Sequence, residues 1–250
     1  PAYFDDDRRY ATKNAGKLAG LYVERIVNEP SAVALRHQVR EKEMETFIIF
    51  DFGGGTLDVS LVEAFDNMVE IRAVAGDNHL GGKDFNEVIA EDFLKNCGID
   101  PSSLGEKEHG IVLREAELLK KQLSKEDTAE RTVLLGEKEY VMRLDNQKLI
   151  RIAAGLFQRM SVPLKRVMDD AGMQWEDIDR IILAGGSSKM PVVRRYVESI
   201  SETEVVMDDR PDECVAIGVG LTVAIKERSV EWKDMILADI CPFSLGTEIY

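Results

Sequence analysis

The stretch Phe47-Ile48-Ile49-Phe50-Asp51-Phe52-Gly53-Gly54-Gly55-Thr56-Leu57-Asp58-Val59-Ser60 constrains this chain more than any other. Phe47 to Phe50 is an apolar run of strand length, and Leu57, Val59 and Leu61 alternate as a second strand. The glycines between them predict a tight turn. Lacking a Cβ, they let backbone N–H groups approach an anion closely. Asp51 closes the first strand and Asp58 sits early in the second. A phosphate cradle flanked by carboxylates suits a nucleotide with its Mg²⁺. A plain glycine-turned hairpin with two solvated aspartates is the competing reading of this stretch alone.

Composition narrows the field. The 250 residues are 44% hydrophobic, enough for one large domain or two modest lobes with an ample core. A net charge of −14 argues against nucleic acid or an anionic membrane surface as partner. Cys97, Cys214 and Cys241 are widely spaced, as are His37, His79 and His109. Neither a disulfide framework nor a His/Cys metal pattern emerges, and a reducing compartment, most simply the cytoplasm, is expected. No apolar run approaches transmembrane length, and no signal peptide opens the chain.

Taken in order, Asp5 to Asp7 offer caps for a helix over Arg8–Leu18. Leu21–Val27 is expected as a short strand, and Ser31 as the cap of a helix from Ala32 to about Val39. Glu29, just before Pro30, reads locally as a helix-start charge. Val69–Val74 should continue the sheet, and a helix is expected from Asp84 to about Cys97. Gly82, beside that helix start, could present N–H groups to a phosphate. Glu117, Lys120, Lys121 and Ser124 fall at i, i+3, i+4 and i+7 of a helix over Glu108–Ser124. That stripe is either a solvated face or a clamp for ribose and base. Alternation over Arg131–Arg143 is strand-like. A helix then opens at Asp145 or Asn146, with an interruption expected at Pro163 and a stop at Gly172. Ile178–Leu183 predicts a buried parallel strand. It runs through Gly185-Gly186-Ser187-Ser188-Lys189 into a helix from Pro191, a plausible nucleotide platform at a sheet edge. The Walker pattern does not occur. Asp208–Glu213 is a polar turn and Ala216–Ile225 a small-residue helix.

These motifs in register resemble the nucleotide-binding domain of the seventy-kilodalton heat-shock chaperones, within the actin-like ATPase superfamily. The resemblance rests on PAYFDDDRRYATKNAG at 1–16, RIVNEPSA at 25–32, FDFGGGTLDVS at 50–60, AGDNHLGGKDF at 75–85, EAELLKKQLS at 115–124, LAGGSSKMP at 183–191 and RPDECVAIGVG at 210–220. It implies an α/β, ribonuclease H-like second lobe carrying an inserted α/β subdomain. The expected layout is 1–45 as a remnant of the first lobe, 46–79 with 157–228 as the ribonuclease H-like part, and 80–156 as the insert. An exposed edge or altered packing is expected in the 1–45 remnant. Residues 229–250 would be an interdomain linker and the start of a peptide-binding domain.

The resemblance also implies roles. Gly53, Gly54, Gly55 and Thr56 would form a phosphate loop, with Gly82 a further phosphate contact. Asp51, Asp58 and Glu29 would position Mg²⁺ through its waters, and the attacking water; Thr56 joins this catalytic set. Glu117, Lys120, Lys121 and Ser124 would contact adenosine of ATP or ADP. Gly185, Gly186, Ser187 and Lys189 would form the opposite wall, with Asp212 beside them. Pro1 and Arg9 match an interdomain switch, and Arg25 and Asn28 a surface for a J-domain co-chaperone. A nucleotide exchange factor and unfolded peptide clients are the other partners implied.

Departures from the family pattern are also visible. Lys121 and Lys189 stand where arginines usually sandwich the adenine, and lysine stacks less well than a guanidinium. Arg36-His37 replaces Tyr-Gly, and the linker lacks its run of leucines. The first phosphate loop and the catalytic lysine lie upstream of Pro1 in the family, so weak or absent ATP hydrolysis is expected. A sugar kinase or filament ATPase of the same superfamily, and a purely structural or regulatory module, are the alternatives.

Overall fold

The computed structural model describes residues 1, 4–37, 44–228, 234–240 and 246–247. Helix α1 (Asp6–Leu18) starts where the aspartates require: the Asp5 carboxylate accepts the Arg8 N–H at 2.9 Å. It buries none of its residues. Helix α2 (Glu29–His37) instead buries Pro30 through Leu35. The expected hairpin comes next as β1 (Glu45–Phe52) and β2 (Leu57–Phe65), antiparallel, with Asp51 opposite Asp58. Strand β3 (Met68–Asp77) extends the meander.

The chain then leaves the sheet. Helices α3 (Gly82–Cys97) and α4 (Glu106–Leu123) pack together and precede a two-stranded hairpin, β4 (Thr128–Leu135) and β5 (Lys138–Asp145). Gly136, at φ +62°, takes the left-handed conformation that this tight turn needs. Helices α5 (Asn146–Ile152) and α6 (Ala154–Ala171) lead back. Strand β6 (Arg180–Ala184) runs parallel to β1, followed by α7 (Pro191–Ser201), β7 (Glu204–Met207), α8 (Cys214–Lys226) and β8 (Ile236–Ala238). The main sheet has the order β7-β6-β1-β2-β3-β8.

Its two faces carry separate apolar clusters. Phe50, Phe52, Val59 and Leu61 point to the side of α3, α4, α6 and α7. Phe47, Ile49, Val62 and Ile71 point to the side of α2 and α8. Period-two alternation along β1 therefore feeds two cores at once, which is why the strand reads as continuously apolar. Ring contacts Phe52–Phe85, Phe85–Phe157 and Phe157–Tyr196, at 6.0, 5.6 and 4.9 Å between centroids, tie β1 to α3, α6 and α7.

Four local expectations are corrected. Residues 21–27 make no ladder: Leu21 and Tyr22 are exposed, and among the described residues no neighbouring strand reaches them. Helix α2 begins at Glu29, not after Ser31, because proline fits a first helical turn whose N–H groups lack partners anyway. Ser31 is buried and donates to Asp239 at 2.6 Å instead of capping. The break between α5 and α6 falls at Ala153, which leaves helical geometry at ψ 13°. Pro163 is accommodated inside α6, where it leaves only the Arg159 carbonyl without its helical donor. Strand β7 has no counterpart among the sequence expectations, since its four residues lack alternation. The end of the helix expected at Val39 lies outside the described residues.

The segment preceding β1 meets the expectation of an exposed edge or altered packing only in part. Helix α2 is enclosed between the sheet and α8, whereas Tyr10, Leu18, Leu21 and Tyr22 remain exposed.

Candidate functional site

The glycine turn after β1 is held from several directions. Gly53 N–H donates to the Thr56 carbonyl at 3.0 Å, closing the turn. The Gly53 carbonyl accepts from Gly82 N–H at 3.0 Å and from Ser187 Oγ at 2.8 Å, and the Gly54 carbonyl accepts from Lys83 N–H at 2.9 Å. The first turn of α3 and the loop after β6 thus converge on one loop. Glycine is required at the contact: a Cβ on Gly81 would lie 2.3 Å from Gly55 N, and one on Gly82 would lie 2.3 Å from Ser187 Oγ. Around Gly54 and Gly55 a Cβ would meet nothing within 4 Å, so the loop's outer side is open.

That open side faces a cleft of about 830 Å³. One wall is α4, whose Glu117, Lys120 and Lys121 line it together with Ser124 at the helix end. The other is the β6–α7 loop, with Gly186, Ser187 and Lys189, joined by Asp212. Gly54 and Gly82 line its floor. Lys120 is buried and donates to the Gly82 carbonyl. Burial, assisted by Lys121, pushes its ammonium down to about 8 against the pull of Glu117. Lys121 pairs with Glu117 at 2.6 Å, and Lys189 with Asp212. Both of these cleft-lining lysines therefore carry an ion pair.

Gly185, at φ +80°, lies behind this wall. A Cβ there would stand 2.4 Å from the Phe52 carbonyl and 2.6 Å from Asp51 Oδ1. Its N–H donates to the Pro211 carbonyl at 3.0 Å, anchoring the loop to the turn that carries Asp212.

The acids sit apart from the cleft's lining. Asp51 and Asp58 are buried at the ends of β1 and β2, and Glu29 opens α2 beside them. Burial first, then the charges of Glu29 and Asp58, raise the Asp51 carboxyl to about 7. Among the described residues no group of three or more His, Cys, Asp or Glu is arranged to hold a metal ion directly. Asp51 and Asp58, buried and opposite each other, are hard oxygen donors of the kind that suits Mg²⁺.

Sequence reasoning missed Asn86, Lys83, Lys125, Glu126 and Met190, which also line the cleft. Asn86 could have been found: one helical turn past Gly82, it must share that residue's face of α3. Gly81, where a Cβ would meet the glycine loop, is hidden in the sequence by a common Gly-Gly pair.

Beyond the cleft, Arg36 binds the buried Asp208 through Nε at 2.5 Å and Nη2 at 2.9 Å, and His37 reaches the same carboxylate at 2.6 Å. Burial opposes ionisation of Asp208. Arg36, the Arg210 N–H and His37 outweigh it and hold the carboxyl well below its ordinary range.

The profile of the family described as Hsp70 protein matches residues 1–250. The chain belongs to the Hsp70 family. Among curated proteins it is 36% identical over 257 residues to "Chaperone protein dnaK" of Cyanophora paradoxa, covering 99% of this chain and 41% of that protein. It is 37% identical over 260 residues to "Chaperone protein DnaK" of Trichormus variabilis, covering 99% of this chain and 37% of the relative. The chain thus spans about two fifths of those relatives' length. Membership carries the actin-like ATPase fold, with which the mixed α/β architecture agrees. It sets aside the sugar-kinase and filament readings. No helix among the described residues is long and apolar enough to cross a membrane.

Proposed function

We infer that this chain binds adenine nucleotide with Mg²⁺ in the cleft between α4 and the β6–α7 loop, as part of a chaperone that couples nucleotide state to peptide binding. One observation carries the reading: two walls of opposite origin and an open glycine loop converge on a single cleft large enough for a nucleotide. Glu117 would accept from ribose hydroxyls, while the Lys121 and Lys189 stems would flank the base and Ser124 would meet its edge. Backbone N–H groups of Gly54, Gly55 and Thr56 would meet the phosphates, and Gly82, whose N–H is held by the Gly53 carbonyl, would let them approach closely for want of a side chain.

Asp51, Asp58 and Glu29 would hold the hydrated Mg²⁺. The cation would neutralise phosphate charge, and a carboxylate of this set would orient the attacking water in line with the terminal phosphate. That carboxylate would also accept the proton the water loses. Thr56, on the loop's far side, would fix the turn.

The layout of 46–79 with 157–228 around an insert at 80–156, preceded by 1–45, belongs to this reading. So does 229–250 as linker. In support, β8 pairs parallel with Met68–Glu70, and Asp239 beyond it accepts from Asn28 Nδ2 at 2.8 Å. Asn28 and Arg25 would form the J-domain co-chaperone surface, next to that strand; an exchange factor and unfolded clients complete the set. Arg9, which donates to Asn28 at 2.7 Å, would belong to the switch together with Pro1.

Calorimetric titration of Mg-ADP tests the reading. Saturable binding is expected, abolished by Gly186→Trp, whose side chain would enter the cleft. Binding that survives this substitution would refute the site.

A further inference from the structure

Asp77 is the residue at which the main sheet hands over to α3. It closes β3 opposite Leu57, and both its carboxylate oxygens are used. Oδ1 accepts the His79 N–H at 2.9 Å. Oδ2 accepts from Arg159 through Nε at 3.1 Å and Nη2 at 2.7 Å. The same Nη2 donates to the His79 carbonyl at 2.9 Å. One guanidinium on α6 thus holds both Asp77 and His79 of the connection between β3 and α3, in a charge-assisted arrangement that no ammonium can reproduce.

The residues just beyond His79 make this placement matter. Leu80 is buried, Gly81 touches the glycine loop, and Gly82 and Lys83 donate to Gly53 and Gly54. Only Leu80 and Gly81 separate His79 from Gly82, so the connection has no slack in which to absorb a displacement. Helix α6 itself is seated on β2 and β3. Its grip therefore ties the start of α3 to the same sheet that carries Asp51 and Asp58. Neither Arg159 nor Asp77 lines the cleft.

We propose that Arg159 is a positioning residue for the phosphate-binding backbone, acting through Asp77 and His79 on Gly82 and the Gly53–Gly55 loop. This role rests on the nucleotide reading of the cleft. It weights the two ends of a ligand differently: the bonds of Arg159 go to the β3–α3 connection, whereas α4 and the β6–α7 loop, which would take the nucleoside, meet that relay only where Lys120 and Ser187 bond the Gly82 and Gly53 carbonyls.

The test compares Mg-ADP with adenosine by calorimetry in the wild-type chain, Arg159→Met, Arg159→Lys and Asp77→Asn, with amide hydrogen exchange on the ligand-free proteins. Arg159→Met should weaken ADP about tenfold, the loss of one well-placed charged contact, and weaken adenosine far less. Exchange at the Gly82 and Lys83 amides should quicken. Lysine should recover only part of the loss, and adding Asp77→Asn to Arg159→Met should cost little more. Equal weakening of ADP and adenosine would mean general loosening and would overturn the role. So would unchanged ADP affinity in Arg159→Met when the wild type binds ADP. A wild type that binds neither ligand would overturn the nucleotide reading, and this role with it.

Discussion

Replacing Asp51 by asparagine should stabilise the cation-free protein, and by more at higher pH. In the folded chain its carboxyl titrates at about 7, against 3.8 ordinarily, because it is buried and faces Glu29 and Asp58. The sign comes from proton binding. Between these two values the folded state holds a proton that the unfolded state has released, so stability falls as pH rises. Each pKa unit is worth about 1.4 kcal/mol. The full shift therefore costs about 4 kcal/mol at pH 8. At pH 5 the folded carboxyl is still protonated and the cost is about 2 kcal/mol. Asparagine keeps the shape and removes the charge. The stability difference between Asp51→Asn and wild type should grow by between about 2 and 3 kcal/mol from pH 5 to pH 8. Any constant cost of the new amide cancels in that comparison. Urea unfolding at both pH values, in a chelator so that no divalent cation compensates the acids, measures it. A difference that does not change with pH would refute the reasoning, as would a carboxyl seen by NMR to titrate near its ordinary value.

Two further substitutions probe how α2 is held. Gly218→Ala should cost about 2 kcal/mol or more, because a Cβ there would lie 1.9 Å from the Ala32 carbonyl oxygen, in backbone that cannot yield; a neutral result in thermal unfolding would show that α8 can retreat from α2. Arg36→Met should cost about 3 kcal/mol by leaving Asp208 buried beside a weaker partner, and adding Asp208→Asn should restore part of it. Urea midpoints for both variants that match wild type would show that His37 and the Arg210 N–H suffice.

The sheet and the cleft are legible in the sequence to different depths. The hairpin at Phe47–Leu61 and the strand into Gly185-Gly186 declare themselves because turn glycines and apolar runs act locally. The four-residue stripe on α4 is legible as a face, but not as a wall, because a helix period says which residues share a side and not what stands opposite. Local rules place the helix break at Pro163 instead of Ala153 for a related reason. Proline's local cost is known, but α6 is fixed by Phe157, Met160 and Leu164 packed beneath it, and that burial outweighs one lost hydrogen bond.

What no local rule can reach is how α2 is bound to the second half of the chain. Its first residue, Glu29, is among the causes that raise Asp51. Its last two, Arg36 and His37, grip Asp208, 172 and 171 positions away. The turn after Asp208 holds Gly185 through the Pro211 carbonyl and carries Asp212 to the cleft. A helix that reads in sequence as a short piece around a proline therefore joins the acids at one end to the cleft wall carrying Asp212 at the other. The Arg36-His37 pair supplies the second of these joints. Changing it should therefore disturb the Gly185 loop before it disturbs the α4 wall, since the Asp208 turn is bonded to Gly185.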